Sequence, residues 1–192
     1  MGTDLTALWI VLGIVAAAAV IIIIWAVHAY NKFIRLSNDI DEAASTIQVF
    51  EKKRSDLIPN VVSAVKGYAA HETEIFDSVT KARERVLSAP DEAARQKSEE
   101  ELGGALSRLL AVAEAYPDLK ANTNFLNLQN QLEQIESEIA SARRYYNANV
   151  KLYNTRLQTW PTSIIARRQG FTRRPLYEVP DPGELQNVKV AF

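Results

Sequence analysis

Residues 5–27 read LTALWIVLGIVAAAAVIIIIWAV, and this stretch decides how the rest of the chain is read. It contains 23 residues and no formal charge. As a helix it would extend roughly 35 Å, enough to cross a hydrocarbon core of about 30 Å. A secretory signal peptide is the main alternative, because Val27-His28-Ala29 has a tolerable cleavage pattern. Two features oppose it. Met1-Gly2-Thr3-Asp4 carries no Lys or Arg, and the apolar run is longer than the roughly 7–15 residues of a signal core. The expectation is a retained transmembrane helix over residues 5–29, preceded by a short external tail at 1–4. Lys32 and Arg35, then Lys52, Lys53 and Arg54, follow the span, and no basic residue precedes it. The positive-inside rule therefore puts the N-terminus outside and the remaining chain in the cytoplasm.

Beyond residue 29 about 163 residues remain, enough for a domain with its own core. A net charge of −1 gives no general attraction to nucleic acid, so none is expected as a partner. The chain has no cysteine, which removes disulfides, thiolate metal sites and a cysteine nucleophile.

Outward from the span, the pattern is helical. Phe33, Leu36, Ile40, Ala43, Ile47 and Phe50 recur at steps of three and four, ending near Arg54. No helix breaker separates the span from this stripe, so the two can run on as one rod. Asp56 reads as an N-cap, with Pro59 in the first turn of a second helix reaching about Ala89. Pro90 with Asp91-Glu92 suits a third start, with Leu102, Leu106, Leu109 and Ala113 facing inward. Tyr116-Pro117-Asp118 ends that helix. In the fourth helix, Phe125, Leu128, Leu132, Ile135, Ile139, Ala142, Tyr146, Val150, Tyr153, Leu157 and Trp160 have a mean step of 3.5, a coiled-coil-like seam. The expected fold is all-α: a transmembrane helix followed by an up-down-up-down antiparallel four-helix bundle at 30–160. A mostly irregular tail at 161–192 follows it.

Catalytic motifs are missing. His71-Glu72 begins a zinc-protease pattern, but Ile75 stands where the second His must be. His28 lies at the membrane edge, so one imidazole cannot furnish a triad or a metal site. No enzyme activity, metal or cofactor is expected. The informative polar residues are those on or beside apolar stripes: Arg54, Glu72, Arg83 and Arg143. A buried carboxylate without a partner would cost several kcal/mol or take up a proton. Glu72 is therefore expected to pair with at least one of these arginines across the bundle. Tyr-Asn recurs at 30–31, 146–147 and 153–154. The last two tyrosines share a face, which reads as aromatic core with a polar tip. Antiparallel helices would return Trp160, Arg167, Arg168, Phe171, Arg173 and Arg174 to the membrane surface. Gly13 with Ala16, Ala17, Ala18 and Ala19 offers small residues for close helix packing in the bilayer.

The ordered pattern resembles the LemA family of bacterial membrane proteins over nearly the whole chain. The resemblance is carried by residues 53–62, KRSDLIPNVV, continuing to His71-Glu72, and by Ala82-Arg83. It is carried further by YPDLKAN at 116–122, by Ile135-Glu136, and by IASARRYYN at 139–147 with Val150 and Tyr153-Asn154. Trp160-Pro161 and Gly170-Phe171 also fit. Lys53-Arg54 departs from the family's usual two arginines, Trp160 from its usual Phe, and an aromatic common near Ala44-Ser45 is absent. The resemblance implies an N-out anchor in the bacterial cytoplasmic (inner) membrane and a cytoplasmic helical domain, with no established catalysis. Some relatives are implicated in shaping internal membranes. Two roles follow as expectations. One is a homo-oligomeric scaffold in contact with membrane lipid. The other is an adaptor docking another membrane protein, such as a protease or transporter.

Overall fold

In the computed structural model the backbone is described for residues 2–177 and side chains from residue 8. The fold is all-α, with no strand among the described residues. The helices are α1 (Gly2–Lys66), α2 (Thr73–Ser88), α3 (Glu92–Ala113), α4 (Pro117–Lys120), α5 (Thr123–Gln158) and α6 (Thr162–Arg168). They form two compact units, one of residues 1–44 with 144–192 and one of residues 45–143.

α1 corrects the expected break at Asp56. It runs 65 residues without interruption, with Pro59 inside it. Burial explains the continuity. Ile47, Glu51, Arg54, Ile58, Val61 and Val65 are all buried, at steps of four and three, while Pro59 faces outward. A mid-helix proline removes one hydrogen bond and typically costs about 3 kcal/mol. Here the carbonyl it leaves without a helical donor, that of Ser55, accepts instead from Arg83 Nε at 2.9 Å. The helix ends at the Gly67 turn, where Tyr68 N and Ala69 N both donate to the Val65 carbonyl at 3.0 and 2.9 Å.

In the unit of residues 45–143, Ile58, Val61 and Val65 of α1 share a core with Phe76, Val79 and Ala82 of α2. Leu102, Leu106 and Leu109 of α3, Leu119 of α4, and Phe125 and Leu132 of α5 complete it. Each such large apolar side chain contributes about 1.5–3 kcal/mol on burial. Two of the joints are capped by side chains. The Asp91 side chain accepts from Ala94 N at 2.8 Å, as the expected third helix start requires. Asn122 Oδ1 accepts from Asn124 N and Phe125 N at 2.9 and 3.1 Å, opening α5. The Asn122 amide also donates to the Tyr68 hydroxyl at 3.0 Å, tying it to the turn after α1.

In the other unit, residues of α1 up to Ala44 pack with the C-terminal part of α5, α6 and the extended segment 171–177. Phe33 is fully buried. Phe171 stacks on it at 5.0 Å and 24°, and Tyr153 meets it edge-on at 5.8 Å and 89°. Within the expected mostly irregular tail the structure adds detail to the first part. Residues 162–168 are helical and 171–177 are docked, whereas Pro180 and Pro182 lie outside the described residues.

Candidate functional site

The polar residues singled out from sequence separate into three places. The first is a buried ion-pair network contributed by α1, α3 and α5. Arg54 pairs with Glu99 and with Glu136, the latter at 2.7 Å. Glu51 accepts from Arg95 at 2.5 Å and from Arg143 at 2.9 Å. Arg54, Glu99 and Glu51 are deeply buried, at 4%, 2% and 4% side-chain exposure. Arg95 also pairs with the exposed Glu92 at 2.6 Å, so the three arginines face four glutamates. Burial raises the Glu99 carboxyl above the ordinary carboxylate range; Arg54 opposes that shift and Glu51 adds to it. Arg54 is penalised by burial, yet Glu136 and Glu99 together hold its guanidinium above its usual value. A network of this kind pairs α1, α3 and α5 in one register, and its charges are consumed by one another.

Arg54 and Arg143 therefore enter a buried network, but through carboxylates other than Glu72. Glu72 is corrected: it sits in the turn ahead of α2, half-buried, and makes no ion pair with Arg54, Arg83 or Arg143. The expected stripe position does not exist, because the helix that would create it begins only at Thr73. Arg83 serves the Pro59 site instead. Glu51 and Glu99 were legible in principle. Glu51 lies four residues after Ile47, and Arg95 and Glu99 continue the Leu102–Leu106–Leu109 stripe backwards at steps of four and three. Charged residues in phase with an apolar stripe, the signal that marks Arg54, mark these acids too.

The second place is the docked segment on α5. Asn154 clasps the backbone of Arg174, donating to its carbonyl at 2.9 Å and accepting from its N–H at 3.0 Å. Asn147 does the same to Tyr177, at 3.0 and 2.9 Å. The spacing is commensurate: seven helical residues rise about 10.5 Å, and three extended residues span about 10 Å. Tyr146 adds a hydroxyl bond to the Pro175 carbonyl at 3.2 Å and an edge contact with Tyr177 at 4.9 Å. Tyr153, whose phenol burial pushes up, closes the aromatic cluster. The Tyr-Asn pairs at 146–147 and 153–154 thus supply core with the tyrosine and a backbone clasp with the asparagine, whereas Tyr30 and Asn31 are exposed.

The third place is the set expected at a membrane surface. Phe171 and Arg174 are engaged within the folded unit. Phe171 is in the aromatic cluster, and Arg174 reaches Ser37 at 3.2 Å and Asp41 at 3.5 Å. Trp160, Arg167, Arg168 and Arg173 are exposed, Trp160 at 78%. Gly13 and Ala16 to Ala19 lie exposed on α1, and a Cβ at Gly13 would meet nothing within 4 Å. From Leu8 to Trp25 every α1 side chain is exposed, although the segment is strongly apolar. This helix is long and apolar enough to cross a membrane.

The chain belongs to the LemA family, whose model matches residues 43–192. Among relatives, it is 26% identical over 181 residues to the magnetosome protein MamQ 1 of Paramagnetospirillum magneticum, covering 81% of this chain and 66% of that protein. The chain thus spans just under two thirds of that relative's length. It is 25% identical over 161 residues to Protein LemA of Metamycoplasma hominis, covering 83% of this chain and 72% of that one. Family and apolar helix together support a membrane-associated protein.

Proposed function

We propose that this chain is a membrane-anchored helical scaffold that associates with copies of itself and organises the membrane holding it. The observation that carries the reading is the single uninterrupted α1. The apolar stretch and the network residues Glu51 and Arg54 lie on one helix, with Pro59 accommodated rather than breaking it. Within its own unit, α1 carries the apolar stretch directly into the buried Phe33, Leu36 and Ile40, as a scaffold requires and a loose anchor does not. The positive-inside distribution favours the N-terminus outside and the folded units in the cytoplasm. Similarity to magnetosome proteins of two organisms is consistent with a role at an internal or cytoplasmic membrane. The proposed role is architectural rather than catalytic.

The lack of cysteine makes the test direct, since every introduced thiol is unique. Single-cysteine variants at exposed Leu87 and Leu126 should resist an impermeant thiol reagent in intact cells and react after lysis. Crosslinking in native membranes, read by mass spectrometry, should recover links between identical copies. Links exclusively to a different membrane protein would replace the scaffold with an adaptor.

A further inference from the structure

Beside the end of the apolar stretch lies an open groove of about 390 Å³, lined by Ala26, Val27, Tyr30, Ile165, Arg168 and Gln169. Its walls come from α1 and α6, within one compact unit. Its composition is divided. Ala26, Val27 and Ile165 offer hydrocarbon, whereas Tyr30, Arg168 and Gln169 offer a hydroxyl, a guanidinium and an amide. None of the lining residues is acidic, and among the described residues no ion pair involves Arg168. A guanidinium beside donors and an apolar wall matches a phosphodiester joined to a glycerol and acyl chains.

The position along α1 selects the same ligand. Trp9 and Trp25 lie near the two ends of the exposed apolar stretch, separated by about 24 Å of helix. Tryptophans at such positions mark the borders between hydrocarbon and headgroups. The groove begins one residue beyond Trp25. Next to it, α6 exposes Ile164 at 56%, and Trp160 just before α6 is almost bare. An aromatic, an aliphatic and basic residues on one short segment form the usual interfacial mixture.

We propose that this groove binds the phosphate and glycerol of one anionic phospholipid from the adjoining leaflet, with Arg168 holding the phosphate. Tyr30 and Gln169 are the accompanying donors, and Ala26, Val27 and Ile165 meet the first part of the acyl chains. The bound lipid would fix α6 at headgroup depth and set the height of the folded chain on the bilayer. This inference rests on α1 spanning the membrane.

The test uses the full chain, reconstituted into vesicles of equal parts phosphatidylcholine and phosphatidylglycerol. Flotation with the vesicles tests the anchor alone, and its failure would remove the spanning reading before lipid choice is asked. The floated protein is then extracted in mild detergent and examined by native mass spectrometry for retained lipid. Wild type should keep phosphatidylglycerol in preference to phosphatidylcholine. R168Q should lower that preference about fivefold, the worth of one arginine at an anionic surface. Y30F should lower it less. R167Q and R173Q, which change arginines outside the groove, should retain the wild-type value, because the bilayer's general field is gone after extraction. R168Q at the wild-type value, or an equal loss in R167Q and R173Q, would overturn the site. So would displacement of the lipid by inorganic phosphate alone, since the groove would then read phosphate without the glycerol and chains. Y30F keeps the ring and serves as the second variant if R168Q fails to fold.

Discussion

Replacing Arg54 by Met is the sharpest perturbation of the buried network. Arg54 is the closest cation to Glu99, a carboxylate at 2% exposure, and it also pairs with Glu136, which at 42% is open to water. Met preserves much of the apolar stem and removes the charge. Glu136 can be rehydrated at little cost, so the loss falls on Glu99. Removing one partner of a buried pair typically costs about 3–5 kcal/mol. That value has a ceiling, because Glu99 can take up a proton instead. The sign of the pH dependence follows. Burial already holds the folded Glu99 pKa above its unfolded value. The folded chain therefore binds the proton first as pH falls. The contribution of Glu99 to stability is fully present below the ordinary carboxylate pKa and is lost as pH rises through the raised one. R54M takes away the arginine that opposes this shift, raising the pKa further. The deficit of R54M should be largest at neutral pH and shrink on acidification, and E99Q in the R54M background should recover most of it. Thermal unfolding followed by circular dichroism, in mild detergent at neutral and mildly acidic pH, reads all three. A deficit below about 1 kcal/mol with no pH dependence would refute the assignment of Arg54 as the counter-charge that Glu99 needs.

Three further outcomes are expected. Arg83→Met should destabilise by about 1.5–3 kcal/mol, because the Ser55 carbonyl loses a charged donor. The loss should be smaller in a P59A background, where residue 59 can donate to that carbonyl; equal losses in both backgrounds, by chemical denaturation, would contradict the link. Asn154→Ala and Asn147→Ala each delete both hydrogen bonds of a clasp. Trypsin should then cut after Arg173 several-fold faster (the Arg174–Pro175 bond resists it), and unchanged cleavage would show that the aromatic contacts alone hold the segment. Gly13→Leu adds bulk where a Cβ meets nothing within the chain, so the fold's melting temperature should stay the same. Self-association should weaken if that face packs against a copy.

Much of this fold could be read from the chain because its signals are periodic. Phe33, Leu36, Ile40, Ala43 and Ile47 are buried at the expected steps, and so are Leu102, Leu106, Leu109 and Ala113. Pro90-Asp91 opened a helix as its chemistry required. Pro59 misled because a proline near an Asp looks like a start, and the donor that lets the helix continue, Arg83, comes 28 residues from Ser55. No local pattern announces such a partner. Glu72 misled for the same reason: a stripe extrapolated through Gly67 assumed a helix where the chain turns. The clasp by Asn147 and Asn154 was half visible. Their seven-residue offset was evident, but their partner is an extended segment with no period of its own. The groove at Arg168 could not be read at all, because it requires α6 to lie against residues 26–30 of α1.

The claim that matters most is that copies of this anchored chain associate. The most direct measurement is the protein mass of the detergent-extracted particle, by light scattering with the detergent contribution subtracted. The expected result is a particle of several 21.4 kDa chains, persisting on dilution and weakened in Gly13→Leu. A particle of one 21.4 kDa chain at every concentration, extracted from membranes where no self-link forms, would contradict it.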